Sequence, residues 1–298
     1  RHMHDWSKMK KFTILIPVYN DWESLKKLLS NINDNIKNIS DVEFNCIIIN
    51  DSSTTNRSEI KIPSNIKSVK IIHMNKNKGH ARCNAFGIKY LSKNLDLDYL
   101  ILMDGDGEDR PEELKLLVGK VLSEPDISVV AKRIKRSEGP LFQLFYRLHK
   151  YLTLFTTGKL INFGNYSCLT KSDIKILSTK ASLWSSFSGS FKKYIKNYNE
   201  IDSFRGMRYF GPSQMSFYKL SIHSFSIIAV FKYRVFFMSI ILLLFFHFLT
   251  VLINFNFLFA QMLLILFNLL VFIVSFRENE KELKNSENNI KNIEEFTR

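Results

Sequence analysis

Residues 100–114 read LILMDGDGEDRPEEL. Four apolar residues run into six carboxylates, Asp104, Asp106, Glu108, Asp109, Glu112 and Glu113, in a chain whose formal charge is +14. The apolar run has the length and character of a buried strand, so the acids begin at its carboxyl end. Pro111 opens a helix, and Glu112 and Glu113 fall in its first turn, where the helix dipole favours negative charge and both are expected to be solvated. Asp104 and Asp106 differ, because Gly105 and Gly107 let the backbone turn sharply and approach a ligand closely. Alternating oxygen ligands at a strand mouth suit a hard divalent cation, Mg2+ or Mn2+. A calcium EF-hand is excluded: counted from Asp104, position six is Asp109 instead of Gly and position twelve is Lys115 instead of Glu.

Upstream, residues 12–18, FTILIPV, form a first strand, and Leu25, Leu28, Leu29 and Ile32 lie at helical spacing within 22–39. Residues 44–49 and 69–73 read as two more strands, 80–93 as a helix and 98–103 as a fourth strand. This alternation predicts an α/β fold with a mostly parallel sheet. The polar clusters at 19–21, 50–53 and 104–109 each follow a strand. They therefore fall along the carboxyl edge, where open sheets of this kind bind ligands.

Downstream, 140–157 is aromatic and amphipathic, compatible equally with an interfacial helix and a core helix. Residues 235–253 and 257–276 each approach the twenty apolar residues that cross about 30 Å of hydrocarbon. With the break at Asn254-Phe255-Asn256 they predict a transmembrane hairpin. Lys232, Arg234 and Arg277 flank it and put both ends in the cytoplasm. Residues 278–298 read as a charged cytoplasmic tail, a surface helix or disordered, and 1–11 as a disordered or cloning-derived leader without a signal peptide.

Hydrophobic residues make up 46% of the 298, enough for a sizeable core. The basic excess suits a membrane surface or phosphorylated ligand; without an RNP, zinc-finger or basic-zipper pattern, nucleic acid is not expected as a partner. Cys46, Cys83 and Cys168 have no paired spacing and suggest a reducing compartment.

TILIPVYND, IIINDSS, NKNKGHARCNAFG and LMDGDGEDRPEEL, in this order, resemble family 2 glycosyltransferases of the GT-A (Rossmann-like) fold. The remainder is similar to the membrane-anchored branch that includes dolichyl- and polyprenyl-phosphate sugar synthases. The resemblance implies a GT-A domain over 12–180, an interfacial segment over 181–231 and the transmembrane hairpin over 232–277. It further implies that Pro17, Tyr19 and Asp21 lie near the base of a UDP- or GDP-sugar donor, with Asp51 on the base or ribose. Asp104 and Asp106 match the family's Asp-x-Asp, with Glu108 at the place of an extra metal ligand. RYFGPSQM, 208–215, resembles the branch's phosphate-neutralising segment: Arg208 matches its Arg, Gln214 replaces its Lys, and Arg205 could compensate.

In FGNYSCLTK, 163–171, Asn165 stands where the branch has Asp, and Asn cannot act as a general base near neutral pH. The catalytic residue is therefore unknown from sequence. A lipid-phosphate acceptor, already ionised, tolerates this change better than a hydroxyl. Arg133 and Arg136 follow the next strand and could gather an acceptor phosphate or simply face the membrane. His80 reads as an ordinary polar loop residue, with a donor contact as the sharper alternative; Lys78 and Arg82 have the same standing. The implied reaction is metal-dependent, inverting transfer of a sugar to a membrane lipid acceptor, polyprenyl phosphate first. Transfer to a hydroxyl of an envelope glycan or glycolipid is the alternative, and a non-catalytic membrane scaffold the third. The Gln-x-x-Arg-Trp signature of processive polymerases is absent. Two spans are few to enclose a lipid carrier, which leaves room for a homo-oligomer.

Overall fold

The computed structural model describes residues 9–57, 60–93, 96–135, 140–211, 216–253 and 255–297. Strand β1 (Lys10–Val18) leads to helix α1 (Trp22–Ile36), then β2 (Val42–Asn50), β3 (Ser68–Met74), α2 (His80–Lys93) and β4 (Tyr99–Leu102). A 3-10 turn (Pro111–Glu113) runs into α3 (Leu114–Ser123), followed by β5 (Ser128–Lys135), α4 (Pro140–Thr157), β6 (Phe163–Thr170) and α5 (Lys171–Ser178). Next come a 3-10 turn (Ala181–Trp184), α6 (Phe187–Tyr194), β7 (Tyr198–Phe204), α7 (Phe217–Ala229), α8 (Lys232–Ile253) and α9 (Leu258–Ser275). The chain closes with α10 (Glu280–Lys284) and β8 (Ile290–Thr297).

The strands form one sheet in the order β7-β5-β6-β4-β1-β2-β3-β8. The central β4-β1-β2-β3 block is parallel, β6 runs antiparallel between β4 and β5, and β7 pairs parallel with β5. Side-chain alternation sorts the core into two layers. Phe12, Ile14 and Ile16 of β1 and Phe44, Cys46 and Ile48 of β2 meet Leu25, Leu28, Leu29 and Ile32 of α1 and the apolar face of α3. Leu15, Ile47 and Ile49 point the other way, toward Phe86 and Ile88 of α2, Ile174 of α5 and Phe191 of α6. Each fully buried leucine or isoleucine of α1 contributes about 1.5–3 kcal/mol. The α/β expectation holds, and the three polar clusters do lie beyond the carboxyl ends of β1, β2 and β4.

Two boundaries are corrected. The expected interfacial segment 181–231 is largely globular: its 3-10 turn and α6 sit in the second core layer and β7 extends the sheet to its edge. Only Ser203 of β7 is buried, so this polar strand carried almost no apolar signature. The tail is not disordered, and only its first part is a surface helix, the short α10. It returns to pair antiparallel with β3 as β8. Its side chains are mostly exposed, and it is held by backbone pairing, by ion pairs from Arg57 to Glu294 (2.6 Å) and Lys70 to Glu295 (3.3 Å), and by half-buried Ile290 and Phe296 against the core.

Helices α8 and α9 have the length and apolarity to cross a membrane, with mean hydropathy 2.7 and 2.5. At about 1.5 Å per residue, the 22 residues of α8 reach about 33 Å. Along both helices only Val235, Ser239, Val271 and Ser275 are buried, so the apolar surface faces outward. An ion pair between Lys232 and Glu278 (2.8 Å) closes the base of the hairpin. Helix α4 contacts α7 and α8 and exposes Tyr151, Leu152, Leu154 and Phe155, which is not the surface of a core helix.

Candidate active site

The loop from Asp104 to Arg110 leaves β4 as its strand pairing ends, with Met103 N–H donating to Leu15 O at 3.1 Å. A Cβ at Gly105 would lie 2.9 Å from the Pro17 carbonyl, so glycine there lets two strand ends approach each other. Gly107 has φ +91°, and a Cβ on it would strike the Tyr209 ring. Within the loop, buried Asp109 accepts the backbone N–H of Asp104 at 2.9 Å. Sequence reasoning gave Asp109 no role, because a buried acid and an exposed one look alike in an acidic run.

The segment after β7 docks on this loop. Gly206 N–H donates to Glu108 O (2.8 Å) and Tyr209 N–H to Asp106 O (3.0 Å). The Arg208 guanidinium reaches Asp21 Oδ2 at 2.6 Å and Asp106 Oδ2 at 3.0 Å, and Arg205 pairs with Glu108. The Asn31 side chain donates to Tyr209 Oη at 2.8 Å. Both arginines singled out from the sequence thus meet the acids, although about a hundred residues separate them along the chain.

On the opposite side His80 begins α2 and brings Nε2 to 3.0 Å from Asp104 Oδ1. Asn165 of β6 lies 2.8 Å from the same His80 nitrogen and donates to Asp104 Oδ1 at 3.3 Å. His80 is therefore part of the site and not an ordinary loop residue; the signal, a polar residue opening a helix after the third strand, was present but nonspecific. Arg133 crosses the backbone at Gly164, where a Cβ would collide with its guanidinium. Arg136 and Gln214 lie outside the described residues.

Burial opposes ionisation of Asp104, but His80, Arg133 and the Asn165 hydrogen bond outweigh it and hold this carboxyl well below the usual range. Burial followed by the charge of Asp104 pushes Asp106 up to about 6 and Asp109 up to about 8. Burial works against the charged form of His80, and the surrounding aspartates raise it overall. Buried Asp109 and half-buried Asp104 and Asp106 repel one another, and a hard cation would relieve them. Among the described residues no three His, Cys, Asp or Glu side chains converge as a closed cage, and Glu108 is held by Arg205 instead of joining Asp104 and Asp106. A cation here would keep positions open for ligand oxygens.

The remaining expected residues scatter by depth. Tyr19 is exposed beyond β1, whereas Pro17 is buried within it. Asp51 is 3% exposed, and its two oxygens accept the backbone N–H groups of Lys78 and Gly79 at 2.8 Å each. It fastens the β3–α2 loop that presents His80. Asn20, in the left-handed region at φ 52°, ties the β1–α1 loop to Ser53 and Thr54. Glu113 was expected in solvent. It is buried, accepting Ser203 Oγ (2.7 Å) and Phe204 N–H (2.9 Å), so it anchors the end of β7 beneath the arginine segment.

The model of the family described as "Glycosyl transferase family 2" matches residues 13–210. The undecaprenyl-phosphate 4-deoxy-4-formamido-L-arabinose transferases of Salmonella choleraesuis (strain SC-B67) and Salmonella typhimurium (strain LT2) are each 25% identical over 227 residues, 73% of this chain and 66% of the relative's length. Among solved structures, glucosyl-3-phosphoglycerate synthase from Mycobacterium tuberculosis, in complex with Mn2+, UDP-glucose and phosphoglyceric acid, aligns with TM-score 0.51 at 15% identity. That alignment covers 76% of this chain and 80% of the synthase. Mannosyl-3-phosphoglycerate synthase from Rubrobacter xylanophilus aligns with TM-score 0.55 at 12% identity, covering 76% and 74%. These likenesses establish the GT-A type of fold, and the family match settles the class: the chain is a glycosyltransferase belonging to glycosyl transferase family 2.

Proposed function

We propose that this chain transfers a sugar from a UDP- or GDP-sugar to polyprenyl phosphate at a membrane surface, with inversion at the anomeric carbon. The observation that carries the reading is the guanidinium of Arg208 set against Asp106 beside Asp104, a cation and an acid pair at one strand mouth. The hairpin of α8 and α9 would anchor the domain, and Lys232, Arg234 and Arg277 favour both ends in the cytoplasm. The Salmonella relatives, whose name specifies undecaprenyl phosphate, support the lipid acceptor.

Asp104 and Asp106 would hold Mg2+ or Mn2+, which when bound offers Lewis-acid neutralisation of phosphate charge. Arg208 would move from the carboxylates toward the donor diphosphate, supplying bidentate donors to developing negative charge. Asn165 and His80 hold the Asp104 carboxylate in one orientation. Arg133, on the acceptor side of Asp104, would orient the incoming phosphate. A phosphate nucleophile is ionised near neutral pH and needs no base, so Asn165 is no obstacle.

The test is incubation of the detergent-purified full chain with labelled UDP- and GDP-sugars and undecaprenyl phosphate, followed by organic extraction. Divalent-dependent label in the lipid phase, lost in Asp104→Ala/Asp106→Ala, is the expected result. Label confined to a glycan or glycolipid hydroxyl would replace the acceptor assignment. Absence of transfer and of nucleotide binding in folded protein would leave the scaffold.

A further inference from the structure

Both oxygens of Asp106 have partners within the chain. Oδ1 accepts the Glu108 backbone N–H at 3.0 Å, and Oδ2 accepts Nη1 of Arg208 at 3.0 Å. Nη2 of the same guanidinium donates to Asp21 Oδ2 at 2.6 Å. Arg205 engages Glu108 from the same segment. The side chains of Arg208 and Asp106 are only 16% and 19% exposed, so salt and water screen their attraction weakly. The segment itself rests on the surface. Gly206 N–H and Tyr209 N–H hold it to carbonyls of the acid loop at 2.8 and 3.0 Å, while Met207 is 82% exposed. The Arg208 side chain can therefore swing away from Asp106 while these backbone bonds hold and without opening the core.

A divalent cation bonds carboxylate oxygens at about 2.0–2.6 Å. On Asp106 it would stand against the guanidinium, and like charges that close repel strongly where water is largely shut out. A diphosphate changes the balance. Its oxygens offer the guanidinium a paired acceptor and supply further ligands to the metal. We propose that Arg208 is a stand-in for the cation: it neutralises Asp106 and Asp21, keeps a divalent metal from binding by itself, and gives way when metal and a nucleoside diphosphate arrive together. The proposal rests on the donor-site reading above and not on the identity of the acceptor. Metal affinity becomes conditional on the donor, because a ligand that must displace a competing partner binds with reduced apparent affinity.

The test follows free Mn2+ by electron paramagnetic resonance as it is titrated into the detergent-purified full chain, alone and with UDP or GDP, with nucleotide-only titrations subtracted. Wild type is expected to bind Mn2+ weakly by itself and about tenfold or more tightly with the matching nucleotide. Arg208→Gln should bind Mn2+ alone about tenfold or more tightly than wild type, and Mn2+ should raise its melting temperature further. Arg208→Lys should stay near wild type with Mn2+ alone, since the ammonium still neutralises Asp106. Adding Asp104→Ala/Asp106→Ala to Arg208→Gln should abolish the gain, which assigns the metal to the acid loop. Equal or absent Mn2+ binding by wild type with and without nucleotide overturns the proposal, and this comparison needs no variant. Mn2+ binding to folded Arg208→Gln no tighter than to wild type overturns it too. Divalent-dependent transfer to lipid beside either of those results would sink the stand-in and keep the transferase reading. The expected Mn2+ behaviour without lipid transfer would support the stand-in and sink the acceptor assignment.

Discussion

Nη1 of Arg208 lies 3.0 Å from Oδ2 of Asp106, and the two residues are 102 positions apart in the chain. The same guanidinium reaches Asp21 at 2.6 Å, so one side chain joins the ends of β1, β4 and β7. Replacing Arg208 with Ala would leave Asp106 and Asp21 facing each other unneutralised. Steady-state kinetics should show kcat/KM lower by about 10²- to 10³-fold, the scale of losing one donor to developing charge. Arg208→Lys should recover only part, because an ammonium cannot fork between two carboxylates. An unchanged kcat/KM in Arg208→Ala would remove this residue from the site.

Gly107 combines φ +91° with a Tyr209 ring where its Cβ would be. Gly107→Ala should therefore lift the arginine-bearing segment off the acid loop as well as strain the turn. The strain alone costs about 1–2 kcal/mol. We expect a lower melting temperature together with loss of transfer, and limited proteolysis cutting near 205–211 faster than in the wild type.

Glu113 and Glu112 are adjacent acids with opposite environments. Glu113→Ala leaves a buried hydroxyl and a backbone N–H unsatisfied and should destabilise by about 1–3 kcal/mol. Glu112→Ala, on the exposed side of the same turn, should stay within about 0.5 kcal/mol. Chemical denaturation of the two variants side by side decides the matter; equal effects would contradict the buried role.

Ending the chain before β8 would expose the β3 edge and remove the ion pairs to Glu294 and Glu295. Amide exchange should quicken across 68–74, and the melting temperature should fall by about 2–4 °C for each kcal/mol lost. The β3–α2 loop should loosen too, since Asn75 Nδ2 donates to Ile290 O of β8 at 3.2 Å. Protection of 68–74 unchanged by the truncation would show that β8 adds nothing to the sheet.

The sequence by itself determined the elements whose side chains carry the signal. Apolar runs at 12–18, 44–49 and 98–103 are strands because both faces of a central parallel strand are buried. Leu25, Leu28, Leu29 and Ile32 can face a core only on a helix. The acid loop, Arg208 and the paired apolar helices were legible because their chemistry is local or their motifs distinctive. Tertiary structure alone decided the rest. Edge strands β7 and β8 are held by backbone hydrogen bonds, which every residue can make, so their polar sequences resemble loops. Whether an acid is solvated, as Glu112 is, or buried, as Asp109 and Glu113 are, depends on what another part of the chain places above it. The same holds for His80, which gains its place beside Asp104 only when α2 packs across the sheet.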